Sequence, residues 1–186
     1  MSIQSRRERE RAEREKLIVT AARELAEAEG WEAVTTRRLA EQVEYSQPVL
    51  YSHFSGKDAI MTAVAVEGFA DLAADLAAAR RDAEDALAAV SAAYLSFAER
   101  RPALYDAMFS HSVDLPFATP EAPAPLHAGF TELVEAIRPH AREDDVGLLT
   151  ELFWAALHGL ATLTRGGRLP REQHDRRLGL LLARFW

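Results

Sequence analysis

Thr35-Thr36-Arg37-Arg38-Leu39-Ala40-Glu41-Gln42-Val43-Glu44-Tyr45-Ser46-Gln47-Pro48-Val49-Leu50-Tyr51-Ser52-His53-Phe54 is the stretch whose reading decides the fold. It divides into two short helices, about Thr36 to Val43 and Gln47 to Phe54, joined by Glu44-Tyr45-Ser46. Thr35 and Ser46 are suited to cap them, because a short side-chain oxygen can accept from the unpaired N–H groups of a first helical turn. Pro48 falls in the first turn of the later helix, where its missing N–H costs little. So short a turn leaves almost no freedom in how the helices cross, which is the length pattern of a helix-turn-helix. Ala40 is small enough to let the later helix approach, and Leu39, Val43, Leu50 and Phe54 can close a small core with Ile18 and Leu25. Spacing alone leaves an ordinary helical hairpin equally open.

Upstream, about Glu8 to Glu29 reads as an amphipathic helix with the stripe Leu17, Ile18, Ala21, Ala22, Leu25 and Ala28, stopped by Gly30. Downstream, a fourth helix starts near Gly56-Lys57-Asp58 and runs to about Arg81. Arg101-Pro102, the Pro-rich span from Pro116 to Pro125, Pro139 and Gly166-Gly167 punctuate the remainder. The residues between are mostly Ala, Leu, Glu and Arg, strong helix formers. No period-two run of β-branched residues is bounded by turns. The expectation is an all-α chain of about nine helices, with a three-helix domain over 1–56 and a helical bundle over 57–186.

The 186 residues, 48% hydrophobic and 27% charged, suit a soluble globular chain with a real core. No apolar stretch is read as approaching the roughly 20 residues that cross a bilayer, so no membrane partner is expected. The alternation of Arg and Glu from Met1 to Lys16 is not a secretory pattern, and the cytoplasm is the expected compartment. Cys is absent, which excludes disulfides, thiolate metal sites and a cysteine nucleophile. The net charge of −7 argues at first sight against a polyanionic partner. Yet Arg6, Arg7, Arg9, Arg11, Arg14 and Lys16 crowd the head of the chain beside Glu8, Glu10, Glu13 and Glu15, and much of the negative excess follows residue 60. Affinity for nucleic acid depends on the local phosphate-facing surface rather than the global sum.

The run Thr35 to Val43, followed by Tyr45-Ser46-Gln47-Pro48-Val49-Leu50-Tyr51-Ser52-His53-Phe54 and Lys57-Asp58, resembles the N-terminal domain of the TetR family of transcriptional regulators. Leu50-Tyr51-Ser52-His53-Phe54 with Lys57 is its most specific part. Glu151 to Leu160, with Trp154 and His158-Gly159, resembles a subfamily named for its Trp-His-Gly signature, and Arg101 to Phe109 fits the same subfamily. The resemblance implies a homodimer on double-stranded DNA at a palindromic operator, most often as a repressor, with a small-molecule effector, no cofactor and no catalysis. One position departs from the family, which usually has Gly where this chain has Glu44. If the turn needs a positive φ there, a residue with a Cβ costs roughly 1 kcal/mol.

In a helix-turn-helix the second helix enters the major groove with its N-terminal residues toward base edges. Here those residues are Tyr45, Ser46, Gln47, Pro48 and Val49. Gln47 can pair bidentately with adenine, and Val49 or the Pro48 ring can pack on a thymine methyl. Thr35, Thr36 and Arg37 open the second helix, where free N–H groups favour an anion. Lys57 stands at the start of the fourth helix, and Tyr51 and His53 offer an O–H and an N–H beside the groove, as the resemblance implies. Against these roles stand solvent exposure or capping for Gln47, core packing for Tyr51 and a solvated lysine for Lys57. The Arg-rich arm can follow the DNA backbone or simply form i,i+4 ion pairs with its own Glu residues.

The last two helices, about Glu143 to Arg165 and Pro170 to Trp186, carry Leu148, Leu149, Leu152, Leu160, Leu178, Leu181, Leu182, Phe185 and Trp186, more apolar surface than one helix pair hides. A four-helix dimer interface, two helices per subunit, is expected; packing within one chain is the alternative. Phe69, Tyr94, Phe97, Tyr105, Met108, Phe109, Phe130, Phe153, Trp154 and His158 are candidates for an effector pocket, with His111 and His127 as further polar groups, and ordinary core as the competing role for each. A di-metal site would need paired Glu-x-x-His motifs, which are missing, as are a phosphate-cradling Gly-rich loop, a nucleophile elbow and a zinc-ligand pair. A non-catalytic adaptor or a small helical-bundle enzyme are the other readings, and neither accounts for Tyr51 and Lys57.

Overall fold

The computed structural model describes residues 3–109, 113, 115–117, 119–143 and 145–184. Among these residues the chain forms nine α-helices and no strand. They are α1 (Ile3–Glu29), α2 (Thr36–Gln42), α3 (Gln47–His53), α4 (Lys57–Arg81), α5 (Ala86–Arg100), α6 (Pro102–Phe109), α7 (Ala124–Ile137), α8 (Val146–Arg165) and α9 (His174–Leu182). The all-α expectation holds. The chain packs as two compact units, Met1–Gly68 with Arg101–Pro116, and Phe69–Arg100 with Phe117–Trp186. The boundary expected after residue 56 falls at the start of α4, a continuous helix that belongs to the first unit as far as Gly68 and to the second beyond it.

In the first unit, α1 begins at Ile3, earlier than its apolar pattern suggests. Pairs one turn apart support this solvated stretch, Arg6 to Glu10 at 3.2 Å and Arg11 to Glu15 at 2.8 Å. Its buried face is Ile18, Val19, Ala21, Ala22, Leu25 and Ala26. Leu17 and Ala28, assigned to that stripe from the sequence, are exposed. The face is turned toward Val19 and Ala26, because α1 meets α2, α3 and α6 and the stripe follows those partners. Gly30 ends the helix with φ of 82°.

The turn between α2 and α3 is built from helix-termination chemistry. Glu44 takes φ of 57°. The Tyr45 N–H donates to the Ala40 carbonyl at 2.9 Å and the Glu44 N–H to Glu41 at 3.3 Å. That pair of bonds is a Schellman stop, which requires a left-handed residue at Glu44. Thr35 caps α2 as expected, its hydroxyl accepting from the Arg38 N–H at 3.2 Å. Ser46 holds the cap position of α3 but its side chain makes no cap bond; only its carbonyl joins the helix, accepting from Leu50 N at 3.1 Å.

α6 is stitched to α1 from its first turn. Two carboxylate oxygens of Glu27 accept from the N–H groups of Ala103 at 3.2 Å and Leu104 at 2.9 Å. These are donors that an α-helix leaves unpaired. Buried Trp31 donates its indole N–H to the Ala103 carbonyl at 2.7 Å. α4 approaches α6 closely at Gly68, where a Cβ would stand 2.7 Å from the Met108 sulfur and 2.8 Å from Leu104 Cδ1.

In the second unit, α5, α7 and α8 pack against one another, and α9 rests on α5. Leu87, Val90, Tyr94, Phe97, Leu133, Ile137, Phe153 and Leu157 form its core. Asp145 caps α8 by accepting from Gly147 N at 2.8 Å and Leu148 N at 3.1 Å. Arg80 pairs with Glu132 at 2.6 Å, tying the end of α4 to α7. One sequence expectation is corrected by α8: over its 20 residues this helix is long and apolar enough, by length and composition, to cross a bilayer. Glu151, Thr150, His158 and Gly159 interrupt it to the eye without offsetting its Leu, Phe, Val and Ala content.

Glycine at position 44 relieves the Cβ strain of the left-handed turn. Glu44→Gly is therefore expected to raise the stability of the protein by about 0.5–1 kcal/mol in urea unfolding followed by circular dichroism. A loss of stability would show that the turn does not carry this strain.

Candidate functional site

Of the seven residues of α3, only Leu50 is buried. With Leu50 directed into the helical trio α1, α2 and α3, most of the short helix before His53 is turned outward. Ser46, Gln47, Pro48, Val49, Tyr51 and Ser52 are exposed, and Tyr45 is half-buried. The surface so formed is small, uncharged and rich in groups that can meet base edges. At its flank the Tyr51 hydroxyl lies 3.4 Å from the Thr36 hydroxyl, bringing together two residues that the sequence placed on different helices. Tyr51 is solvent-facing, so its core-packing alternative fails.

Around this face the structure sorts the remaining predicted residues. Thr35 spends its hydroxyl on the α2 cap, and Arg37, exposed, pairs with Glu41 at 3.0 Å. Lys57 is half-buried at the first residue of α4, and its ammonium donates to the Trp31 carbonyl at 2.5 Å. It keeps further N–H donors beyond that bond. His53 does not face outward as expected: its side chain is 6% exposed and Nδ1 lies 3.4 Å from a Glu15 oxygen. The last turn of α3 is held against α1, which draws His53 inward. Arg11, unassigned from the sequence beyond the basic arm, reaches the Ser52 carbonyl at 3.4 Å while pairing with Glu15. The arm is helical and laced by i,i+4 pairs, the second of its two sequence readings.

A second tie positions α2. Arg38 makes two hydrogen bonds to Glu29, at 2.8 and 2.7 Å, from the start of α2 to the end of α1. The Arg38 hydrogen bond holds the Glu29 carboxyl below its ordinary range, and the same bond raises the guanidinium. Nothing in the spacing of these two residues announced the pair, since Gly30, a short 3-10 turn and the first residues of α2 stand between them.

The second unit contains a cavity of about 520 Å³. It is lined by Phe117, Ala122, Leu126, His127 and Phe130 on one side and by Glu151, Trp154, Ala155 and His158 of α8 on the other. Of the residues expected at the pocket, His127, Phe130, Trp154 and His158 line it. Tyr94 lies just behind, its hydroxyl accepting from the Trp154 indole N–H at 3.0 Å. Phe69 stacks edge-on against Phe117 at 5.7 Å. Phe97 and Phe153 are fully buried core, and Tyr105, Met108 and Phe109 belong to the first unit, so none of these five lines this cavity. His111 lies outside the described residues. Phe117 and Ala122 were missed because they sit in the Pro-rich span read as punctuation. Glu151 and Ala155 had a usable signal, since they share with Trp154 and His158 one face of a 3.6-residue helix. Burial and then the nearby Arg165 charge push His158 below its ordinary value, so the imidazole is neutral at pH 7.

The proposed interface leucines also separate. Leu148 and Leu152 are exposed at 60% and 68%, as is Leu180, which was not singled out, at 55%. Leu149, Leu160, Leu178, Leu181 and Leu182 are half-buried, and Phe185 and Trp186 lie outside the described residues. α9 has no buried residue at all.

Residues 18–64 match the family described as bacterial regulatory proteins, tetR family, and residues 87–185 match the tetracyclin repressor-like C-terminal domain. The chain is 28% identical over 153 residues to an uncharacterized HTH-type transcriptional regulator of Mycobacterium tuberculosis, spanning 81% of this chain and 69% of that one. It is 47% identical over 48 residues to the class C tetracycline repressor protein of Escherichia coli, 26% of this chain and 22% of the relative. A solved structure of a protein of unknown function from Rhodococcus sp. RHA1 superposes with a TM-score of 0.76 at 26% identity, over 92% of each chain.

The Glu29–Arg38 tie sets a pH dependence. A carboxyl whose folded value is depressed stabilises the fold above its unfolded value, and that contribution is lost as pH falls through the folded one. Arg38→Ala is thus expected to be less stable than the parent at pH 7, with the gap closing as pH is taken below the ordinary carboxylate value of 4.5. Urea melts of both proteins at neutral and acid pH measure it; a gap that persists unchanged in acid would remove the tie from the account.

Proposed function

The chain belongs to the TetR family of transcriptional regulators, carries a helix-turn-helix DNA-binding domain and is not an enzyme, and from that premise we propose that it is a homodimeric repressor released from a palindromic operator by a small apolar or amphipathic molecule. The observation that carries the reading is the outward face of α3, with Leu50 buried behind Gln47, Pro48, Val49 and Tyr51. Gln47 reads an adenine edge, Val49 and Pro48 pack on thymine methyls, and the absence of Arg and Lys from α3 leaves part of the selectivity to DNA shape. Thr36, Arg37, Tyr51 and Lys57 grip phosphate beside it.

The dimer reading is supported by the leucines of α8 and α9. A helix of nine residues with no fully buried residue is only partly covered by its own chain, and exposed Leu148, Leu152 and Leu180 are better placed against a second copy. Two heads also supply enough phosphate contacts for a tight site, which one short helix does not. The cavity of the second unit is the effector site, and occupancy biases the pair of heads between spacings that do and do not fit successive grooves. The cytoplasm is the compartment where such DNA is met.

Selection of bound duplexes from a random pool is expected to return an inverted repeat. Gln47→Ala is expected to lose preference at one base pair of each half-site, at about 1–3 kcal/mol, while keeping affinity for scrambled DNA. Lys57→Ala is expected to weaken all sequences alike and to lower the slope of log K against log salt by about 0.9 for each phosphate that Lys57 neutralises. An unchanged slope would confine Lys57 to its bond with the Trp31 carbonyl, and a pool without symmetry would sink the dimeric reading.

A further inference from the structure

We propose that the cavity lined by α7, α8, Phe117 and Ala122 takes a hydrophobic organic cation, such as an alkylated quaternary ammonium, with Glu151 as its counter-charge. This rests on the reading of that cavity as the effector site and narrows it to one class of ligand. The lining holds one charged side chain among the described residues, the Glu151 carboxylate, and no Lys or Arg. Glu151 makes no ion pair with any described residue and stays exposed on its helix, so its charge is available at the cavity.

Besides His127, the other polar side chains of the lining are His158 and Trp154, and neither offsets it. His158 is held neutral by burial and by the Arg165 charge. The Trp154 indole N–H is spent on the Tyr94 hydroxyl at 3.0 Å, which leaves the indole to offer the cavity its π surface rather than a donor. Phe117 and Phe130 add two more rings. Aromatic faces attract a cation through the ring quadrupole, Trp most strongly, and a quaternary ammonium has no N–H that would need an acceptor. A fatty carboxylate would meet the opposite field, with Glu151 repelling it and no cationic side chain in the lining to pair with it. A neutral alcohol would be accepted by the apolar walls but would gain nothing from Glu151. The volume of about 520 Å³ suits a molecule of drug-like size.

Calorimetric titration of the full chain with decyltrimethylammonium, decanol and decanoate, each below its aggregation concentration, separates these cases because the tail is shared and only the charge differs. The cation is expected to bind tightest and decanoate weakest. Glu151→Gln, at an exposed position, is expected to weaken the cation about fivefold and to leave decanol within about twofold. Decanoate or decanol binding as tightly as the cation overturns the proposal while leaving the cavity as an effector site. Cation affinity undiminished in Glu151→Gln also overturns it. Failure of all three probes to bind overturns the proposal together with the effector reading on which it stands.

Discussion

Burial of Leu50 is the constraint on which the rest of the first unit depends. A seven-residue helix is far too short to persist in water on its own propensity, because the cost of nucleation falls on very few hydrogen bonds. α3 exists because it is held from below by one apolar side chain and from its ends by specific bonds. Glu44 closes the turn that delivers it, and Glu15 and Arg11 meet its last turn from α1. With Leu50 and the His53 side chain turned inward, Gln47, Pro48, Val49, Tyr51 and Ser52 are left for contact with another molecule. The same geometry explains the sparing use of charge on the exposed face: Glu29–Arg38 and Arg37–Glu41 satisfy the charges beside it in pairs.

Local chemistry was the legible part. The α2–α3 boundaries, the Thr35 cap and the left-handed residue at Glu44 all follow from backbone needs that act within a few residues, and the sequence shows them. Partner-dependent features were not legible. Whether Val19 or Leu17 faces inward on α1 depends on where α6 arrives from some eighty residues away, as the Glu27 and Trp31 bonds record. His53 reads as a groove-side donor until Glu15 is seen beside it. In the second unit a list of aromatic residues does not divide into core and cavity until the helices are placed. Phe97 and Phe153 differ from Phe130 in their neighbours, not in their type.

The second unit departs from the first in how it ends. Its interior is drawn from α4 beyond Gly68, α5, α7 and α8, yet α8 keeps Leu148 and Leu152 exposed and α9 has no fully buried residue. A bilayer-like composition on a helix already packed on one side means that the other side is chemically unfinished. Surface of this kind aggregates unless something definite covers it. The second copy proposed above would be such a covering.

The bonds between α1 and α6 bear on how the DNA-facing head can be handled. Because Glu27 and Trp31 find their partners at residues 103 and 104, a fragment cut after the third helix would carry a carboxylate without its amides and an indole without its carbonyl. Grafting residues 1–56 onto a different body therefore transplants an incomplete object. A portable version needs either the α6 segment supplied on a linker or both side chains replaced by groups that ask for nothing.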